Sequence, residues 1–245
     1  MRSSDAGNPC PAAQPTDGIH VPIPTSSTPG PVMTQLATAL FKNAHRAGQN
    51  FTDGELHNIR QGEEGTTERI LLDFAKTLPD LHVGAFTRRE ESRYGADWKW
   101  WISDGSNKWF HLVIQAKKLQ TPKAHAAGKY KIKHTVRSTG MQQIDLLDLY
   151  ARKSGAHSLY ALYNLAARGV RYSDHTCCLG PSGDRITAVS ADVFLKRFPR
   201  TKGLVDDVSL AAIREYAIPW SCLADGRVPT DPRPPKTLGT EGLTR

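Results

Sequence analysis

At 245 residues, with 39% hydrophobic residues and no run near the roughly 18 apolar residues that span a bilayer, the chain has room for one sizeable α/β domain. The N-terminus also lacks the charged-then-apolar pattern of a secretion signal, so the expectation is a soluble, cytoplasmic protein without a membrane partner. A net charge of +8 and a pI of about 9.4 favour a polyanionic partner such as nucleic acid.

Residues 1–31 hold seven prolines among Ser, Thr, Gly and Ala. Such a segment buries too little apolar surface to offset its ordering entropy, and reads as a disordered leader. Residues 226–245 read as a tail of the same kind, leaving 32–225 as one domain. Met33 to Ala47 has helical spacing at Leu36, Leu40 and Ala44. Gly65 to Leu78 gives a second helix, with Ile70, Phe74 and Leu78 on one stripe and Pro79 helping to end it. Glu63 and Glu64 stand at its start, where negative charge suits the helix dipole.

Residues 82–87, 97–102 and 109–117 read as strands, and Asp104-Gly105 marks a hairpin turn between the last two. Residues 139–153 form a helix with Met141, Ile144, Leu147 and Leu149 available for burial. Residues 158–164 form another strand. The order suggests a central mixed sheet flanked by helices. The stretch from 170 onward carries little pattern beyond a short helix beginning at Ser190. The four cysteines are Cys10, Cys177, Cys178 and Cys222, and the adjacent Cys177-Cys178 pair does not have zinc spacing even with His175 nearby.

Three features carry chemistry. Asp97 opens a strand, Gln115-Ala116-Lys117 ends the next one, and Glu64 begins a helix upstream. Gln115 and Lys117 share one face of their strand, because side chains alternate. If the strands pair as a hairpin, Asp97 comes close to both. Asp97, the Ala116 carbonyl, Gln115 and Glu64 would offer the oxygen ligands that a hard cation such as Mg²⁺, or Mn²⁺ in its place, requires. Lys117 would orient water or stabilise charge developing on a phosphate. From Gly105 through Ile144 there is no Asp or Glu, while Lys118, Lys123, Lys129, Lys131, Lys133 and Arg137 fall in that span. Such a stretch suits phosphate contacts of little sequence preference, and Gln142 and Gln143 follow it.

Asp97…Gln115-x-Lys117 resembles the PD-(D/E)xK nuclease superfamily in its Q-x-K variant, as in Mrr-like restriction enzymes. Glu63-Glu64, Gly95-Ala96-Asp97-Trp98, Gln115-Ala116-Lys117-Lys118, Gln142-Gln143-Ile144-Asp145 and Tyr160 to Asn164 carry a longer similarity to an uncharacterised bacterial family within that fold. The resemblance implies a restriction-endonuclease-like α/β core and a Mg²⁺-dependent endonuclease acting on DNA rather than RNA. It further implies restriction or antiviral defence, with a homodimer or a partner protein from a defence operon in attendance. Gln115 replaces the usual second carboxylate, which weakens attraction for a cation.

Plainer readings stand beside these. Asp97 can terminate a turn, and Lys117 and Gln115 can be polar residues at a strand end. Glu64 can merely face the helix dipole, with Glu63 and Glu68 as rivals for the helical acid. Trp98, Trp100 and Trp101 favour packing over base stacking, and His111 and His134 favour structural or exposed roles. Glu90 and Glu91 read as surface charges, though either can assist a metal. A catalytically inactive nuclease fold that binds nucleic acid or a partner protein is the main alternative function. A basic domain working through protein contacts, as a toxin or an immunity-type partner, is a third.

Overall fold

The computed structural model describes residues 31–59, 61–78, 81–103, 109–120, 128–164, 171–173 and 185–225. Residues 1–30 of the leader, the tail, Pro79, the Asp104-Gly105 turn, Lys123, His175, Cys10, Cys177 and Cys178 lie outside those residues.

Helix α1 covers Pro31–Leu56, well past the expected end at Ala47. Gly48 does not stop it because Leu40, Ala44, Ala47 and Phe51, all buried, continue one stripe across it. Burying a large apolar side chain contributes about 1.5–3 kcal/mol, more than the roughly 1 kcal/mol that a glycine costs inside a helix. Helix α2 covers Glu63–Thr77 and buries Thr66, Thr67, Ile70, Leu71 and Phe74. Strand β1 (Leu81–Ala85) follows, then an unanticipated helix α3 (Arg88–Tyr94), then strands β2 (Trp98–Ser103), β3 (Trp109–Gln120) and β4 (Lys129–Tyr130). Helix α4 (Gln143–Ser154) leads into strand β5 (His157–Tyr163). Within the expected helix 139–153, Ile144 and Leu147 are buried, but Met141 and Leu149 are exposed. Met141 precedes the helix, and Leu149 falls on its outer face.

The remainder folds as strand β6 (Ile186–Ser190), helix α5 (Ala191–Arg197), short strands β7 (Arg200–Thr201), β8 (Leu204–Val205) and β9 (Val208–Ser209), helix α6 (Leu210–Ile213), strand β10 (Ile218–Pro219) and a closing 3₁₀ segment, Trp220–Asp225. Ser190 caps α5 through a bond from the Asp192 amide, as its position before the helix suggests.

The main sheet runs β1-β2-β3-β5-β6-β10, with β4 pairing the far end of β3 and also β9. β3 and β5 are parallel, while the β1–β2, β2–β3, β5–β6 and β6–β10 pairs are antiparallel. Alternation along the strands divides the core between two faces. On one, Trp98, Trp100, Leu112 and Ile114 pack with Leu40, Phe74 and Trp220. On the other, Val113, Tyr160 and Leu162 pack with Ile144, Leu147 and Phe194. The chain is thus α/β, a mixed sheet between helices α1 and α2 on one side and α4 and α5 on the other. Trp98 and Trp100 are core residues without exposure, and Trp101 lies on the opposite face, stacked on His111 at 4.4 Å. Among the described residues, no helix is long and apolar enough to cross a membrane.

One detail of register positions the site. The β2–β3 ladder begins at Trp98↔Ile114, while β3 continues to Gln120. Past Ile114, the β2-side edge of β3 is open to side chains.

Candidate functional site

Asp97 stands at that opening. Its main-chain N–H donates to the Ile114 carbonyl at 2.9 Å. Its side-chain Oδ2 accepts two bonds, from the Ala116 amide at 2.7 Å and from Gln115 Nε2 at 2.7 Å. Gln115 Nε2 also donates to the Ala116 carbonyl at 3.1 Å. Two residues further along the same edge, the Lys118 amide donates to Glu63 Oε1 at 2.7 Å. Two carboxylates from different elements therefore sit on successive outward amides of one strand, with the Ala116 carbonyl between those amides.

Two close approaches hold Asp97 there. Gly95 ends α3 in the left-handed region at φ +70, which glycine adopts without steric penalty. A Cβ at Gly95 would meet the Gln143 carbonyl at 2.2 Å and the Leu147 amide at 2.7 Å. The turn before Asp97 is therefore pressed against the first turn of α4. Helix α3 itself starts with a capping box between Thr87 and Glu90. Glu91, next to the capping glutamate in the first turn, accepts a bond from Gln143 Nε2 at 3.3 Å.

Burial is the main force on Asp97, and it pushes the carboxyl up to about 7; the Ala116 amide, Lys117 and Gln115 oppose the rise, and the charge of Glu91 adds to it. His134 is held below its usual value by burial and by Lys117 and Lys131, with Glu91 acting the other way. Lys117 and Glu91 thus act on both Asp97 and His134.

The donor set fits a hard cation. Gln115 is 2% exposed, and its Oε1 is buried without a hydrogen-bond partner, although a buried amide oxygen left unpaired costs about 1–3 kcal/mol. Its Nε2 meanwhile faces the two oxygens, Asp97 Oδ2 and the Ala116 carbonyl, that a cation would take. A half-turn of the amide would bring a third oxygen to the same point. Among the described residues, no three His, Cys, Asp or Glu side chains gather as a metal group, so any cation here would depend on amide and main-chain oxygens as well as carboxylate.

The other expected residues divide. Glu64 is exposed and pairs with Arg88 at 3.2 Å, away from the opening; Glu63 is the acid of α2 that reaches β3. Glu68 is exposed as well. The signal for Glu63 was the stripe itself, because Glu63 lies seven residues before Ile70, a full two turns, and shares its face. Lys117 lies on the Gln115 face. Lys118 lies on the other face, where its ammonium donates to the Gln61 carbonyl at 3.2 Å and sits 4.5 Å from the Phe51 ring. Lys129, Lys131 and Arg137 are exposed. Lys133 is engaged with Asp206 at 2.7 Å, and its amide with Asp207. Gln142 is committed to the Val205 main chain on both sides of its amide, leaving Gln143 as the glutamine of the pair that turns toward the site.

The fold and the site define an α/β protein whose polar cluster gathers along the edge of a central strand that β2 leaves open past Ile114. The chain belongs to the family of unknown function DUF6615, whose model matches residues 32–239. No curated protein matches it.

Proposed function

We propose that this protein is a divalent-metal-dependent nuclease, with DNA the favoured substrate. One observation carries the reading. Asp97, Gln115 and the Ala116 carbonyl converge at the open edge of β3, and Lys117 follows on the Gln115 face. Asp97, the Ala116 carbonyl and Gln115 would hold the cation, with Glu63 in place of Glu64 as the helical acid beside them. Mg²⁺ held there would supply Lewis-acid polarisation of a phosphoryl oxygen and lower the pKa of a bound water. The Lys117 ammonium would balance charge developing on the phosphate, a contribution whose loss typically costs about 10²–10³-fold in rate. Exposed Lys129, Lys131 and Arg137 would hold the flanking backbone.

Gln115 favours a second reading, in which the chain binds nucleic acid without cutting it. A neutral amide replaces a charge next to the cation, and Asp97 gives up its proton only near neutral pH. One experiment separates the two. Full-length protein is incubated with plasmid, single-stranded DNA and RNA in Mg²⁺, Mn²⁺ or EDTA, beside Asp97→Asn and Lys117→Ala. Cleavage that needs metal and falls at least about 100-fold in both variants supports the nuclease. Salt-sensitive binding with no cleavage under any condition supports the binding module.

A further inference from the structure

The β7–β8 hairpin is tied down more firmly than its share of the core requires. Val205 is its buried residue, Leu204 is half-buried, and Arg200, Thr201, Lys202 and Gly203 are exposed. Yet side-chain bonds brace both of its strands. Gln142 holds the Val205 main chain from both sides, donating to its carbonyl at 2.6 Å and accepting from its amide at 2.8 Å. Arg200 donates to Asp145 at 2.8 Å and to the Gly203 carbonyl at 2.9 Å. The Thr201 hydroxyl donates to Asp206, which also accepts from the Lys133 ammonium. Gln142 and Asp145 belong to the opening turn of α4, and the Gln143 carbonyl between them is the one that Gly95 is pressed against. The hairpin and the Asp97 turn are therefore fixed to the same stretch of chain.

The tip of the hairpin is charged. Lys202 and Gly203 make its two-residue turn, both with positive φ, at 53 and 79, as a type I′ turn requires. Asparagine is the residue that such a first position favours beside glycine, and lysine occupies it instead. A Cβ at Gly203 would meet nothing within 4 Å, so the tip stands clear of the body. From Val193 through Val205 there is no Asp or Glu, while Lys196, Arg197, Arg200 and Lys202 fall in that run. Lys196 is answered by Asp192 and Arg200 by Asp145; Arg197, the last residue of α5, and Lys202 are exposed and lie outside those pairs. A tip of this kind offers none of the apolar or aromatic area on which the centre of a protein–protein interface depends. Fixed cations on a braced hairpin suit phosphates.

We propose that the β7–β8 hairpin is a second contact for the nucleic acid backbone, with Lys202 at its tip and Arg197 at its foot each neutralising a phosphate. The inference rests on the nucleic-acid reading of the chain and needs no metal. Both residues lie outside the acid-free run from Gly105 through Ile144. The Lys133–Asp206 pair joins the hairpin to the segment that carries Lys129 and Lys131, so the two contacts form one surface. Because the hairpin shares its anchor with the Asp97 turn, a backbone held by Lys202 is also held at a fixed offset from the site.

The test measures binding apart from turnover. Full-length protein is titrated onto a short labelled DNA duplex in EDTA at several salt concentrations, and cleavage of the same duplex in Mg²⁺ is followed in parallel. Lys202→Asn should melt at or above the wild-type temperature, because asparagine suits the left-handed turn position. It should flatten the slope of log binding constant against log salt by about 1. Adding Arg197→Gln should flatten it by about 2 in all. Lys153→Gln, the same charge change at the far end of α4, roughly 16 Å from its first turn, should keep the wild-type slope. A wild-type slope in the double variant would overturn the hairpin contact, and so would a Lys153→Gln effect as large as that of Lys202→Asn. Metal-dependent cleavage with unmoved slopes would sink the hairpin alone. The expected slope changes with no cleavage would support the hairpin and sink the nuclease. No binding of the duplex even at low salt would overturn the hairpin together with the nucleic-acid reading beneath it.

Discussion

Two buried groups give the protein opposing pH dependences. Burial raises Asp97 from 3.8 to about 7, so the folded state holds its proton where the unfolded state has released it. Its contribution to stability is complete below about pH 4 and is lost as pH rises through about 7. Burial, aided by Lys99, lowers His111 from 6.5 to about 4, so its contribution is complete above about 6.5 and is lost as pH falls through about 4. Between pH 4 and 6.5 the two slopes have opposite signs, each at most about 1.4 kcal/mol per pH unit, and largely offset. Asp97→Asn should remove one slope. Both of the bonds that Asp97 accepts fall on Oδ2, so an amide oxygen at that point keeps them. The variant should gain stability over the metal-free wild type above pH 7, on the order of 2 kcal/mol or roughly 4–8 °C in Tm, and lose the gain near pH 4. Melting curves from pH 4 to 8 in EDTA check this, and a gain that does not vary with pH would refute the buried-carboxyl account. Asp97, Gln115 and Lys117 were legible as residues because strand alternation fixes which side chains share a face. For Glu91 the sequence offered only a surface charge able to assist a metal; the bond it accepts from Gln143 depends on α3 packing against α4, and its local sequence, Arg88 to Arg93, is simply polar.

Helix α3 is the element on which the site depends, and the sequence did carry a sign of it. Thr87-x-x-Glu90 is a capping box, with Gly95 at the terminating position. No apolar stripe accompanies those signals, since none of the residues of α3 is buried, and periodicity is blind to a helix of that kind. The strands were easier. Trp98, Trp100, Leu112 and Ile114 alternate cleanly, and that alternation fixes which face of β2 and β3 is buried. The stretch after 170 was opaque because its strands pair with sequence-distant partners, as when β9 joins β4. The joint between α3 and α4 makes its own prediction. Gly95→Ala forces a non-glycine residue to φ +70 and a Cβ to within 2.2 Å of the Gln143 carbonyl. Left-handed strain alone costs about 1–2 kcal/mol, and overpacking typically adds about 1–3 kcal/mol. The midpoint of urea unfolding should fall by an amount equivalent to roughly 2–5 kcal/mol. Mn²⁺ affinity should fall with it in whatever fraction stays folded, since Asp97 follows two residues later. Thr87→Ala, which removes only the cap, should cost about 1 kcal/mol and leave Mn²⁺ affinity near that of the wild type. Equal effects of the two substitutions on metal affinity would contradict the claim that the α3–α4 contact positions the site.

At the scale of the molecule, the question is where the excess positive charge meets a partner. The acid-free run from Gly105 through Ile144 was visible in the sequence, but its neutralisation was not. Asp206 and Asp207 come from some 70 residues away to engage Lys133, and Lys118 turns to the other face of the sheet. The basic surface is therefore narrower than a count of lysines suggests. Among the expected contacts that the structure describes, Lys129, Lys131, Lys133 and Arg137 are exposed, and of these Lys133 is held by Asp206. Strand β4, which carries Lys129, extends the end of β3 through Leu119↔Tyr130, just past Lys117. A polyanion lying across that end would meet the site and these charges together. Each phosphate neutralised on duplex DNA contributes about −0.9 to the slope of log binding constant against log salt. Replacing Lys129, Lys131 and Arg137 together by alanine should flatten that slope by roughly 2–3, similarly for unrelated sequences. Lys133→Ala should change it much less, because that ammonium already faces Asp206. Fluorescence anisotropy on a labelled duplex from 50 to 300 mM salt, in EDTA to prevent cleavage, measures both slopes (the salt range is roughly that over which phosphate contacts lose most of their affinity). A triple variant with the wild-type slope would mean that this face does not bind the nucleic acid backbone. A single Lys133 effect as large as that of the triple variant would mean that the Asp206 pair opens when the polyanion arrives.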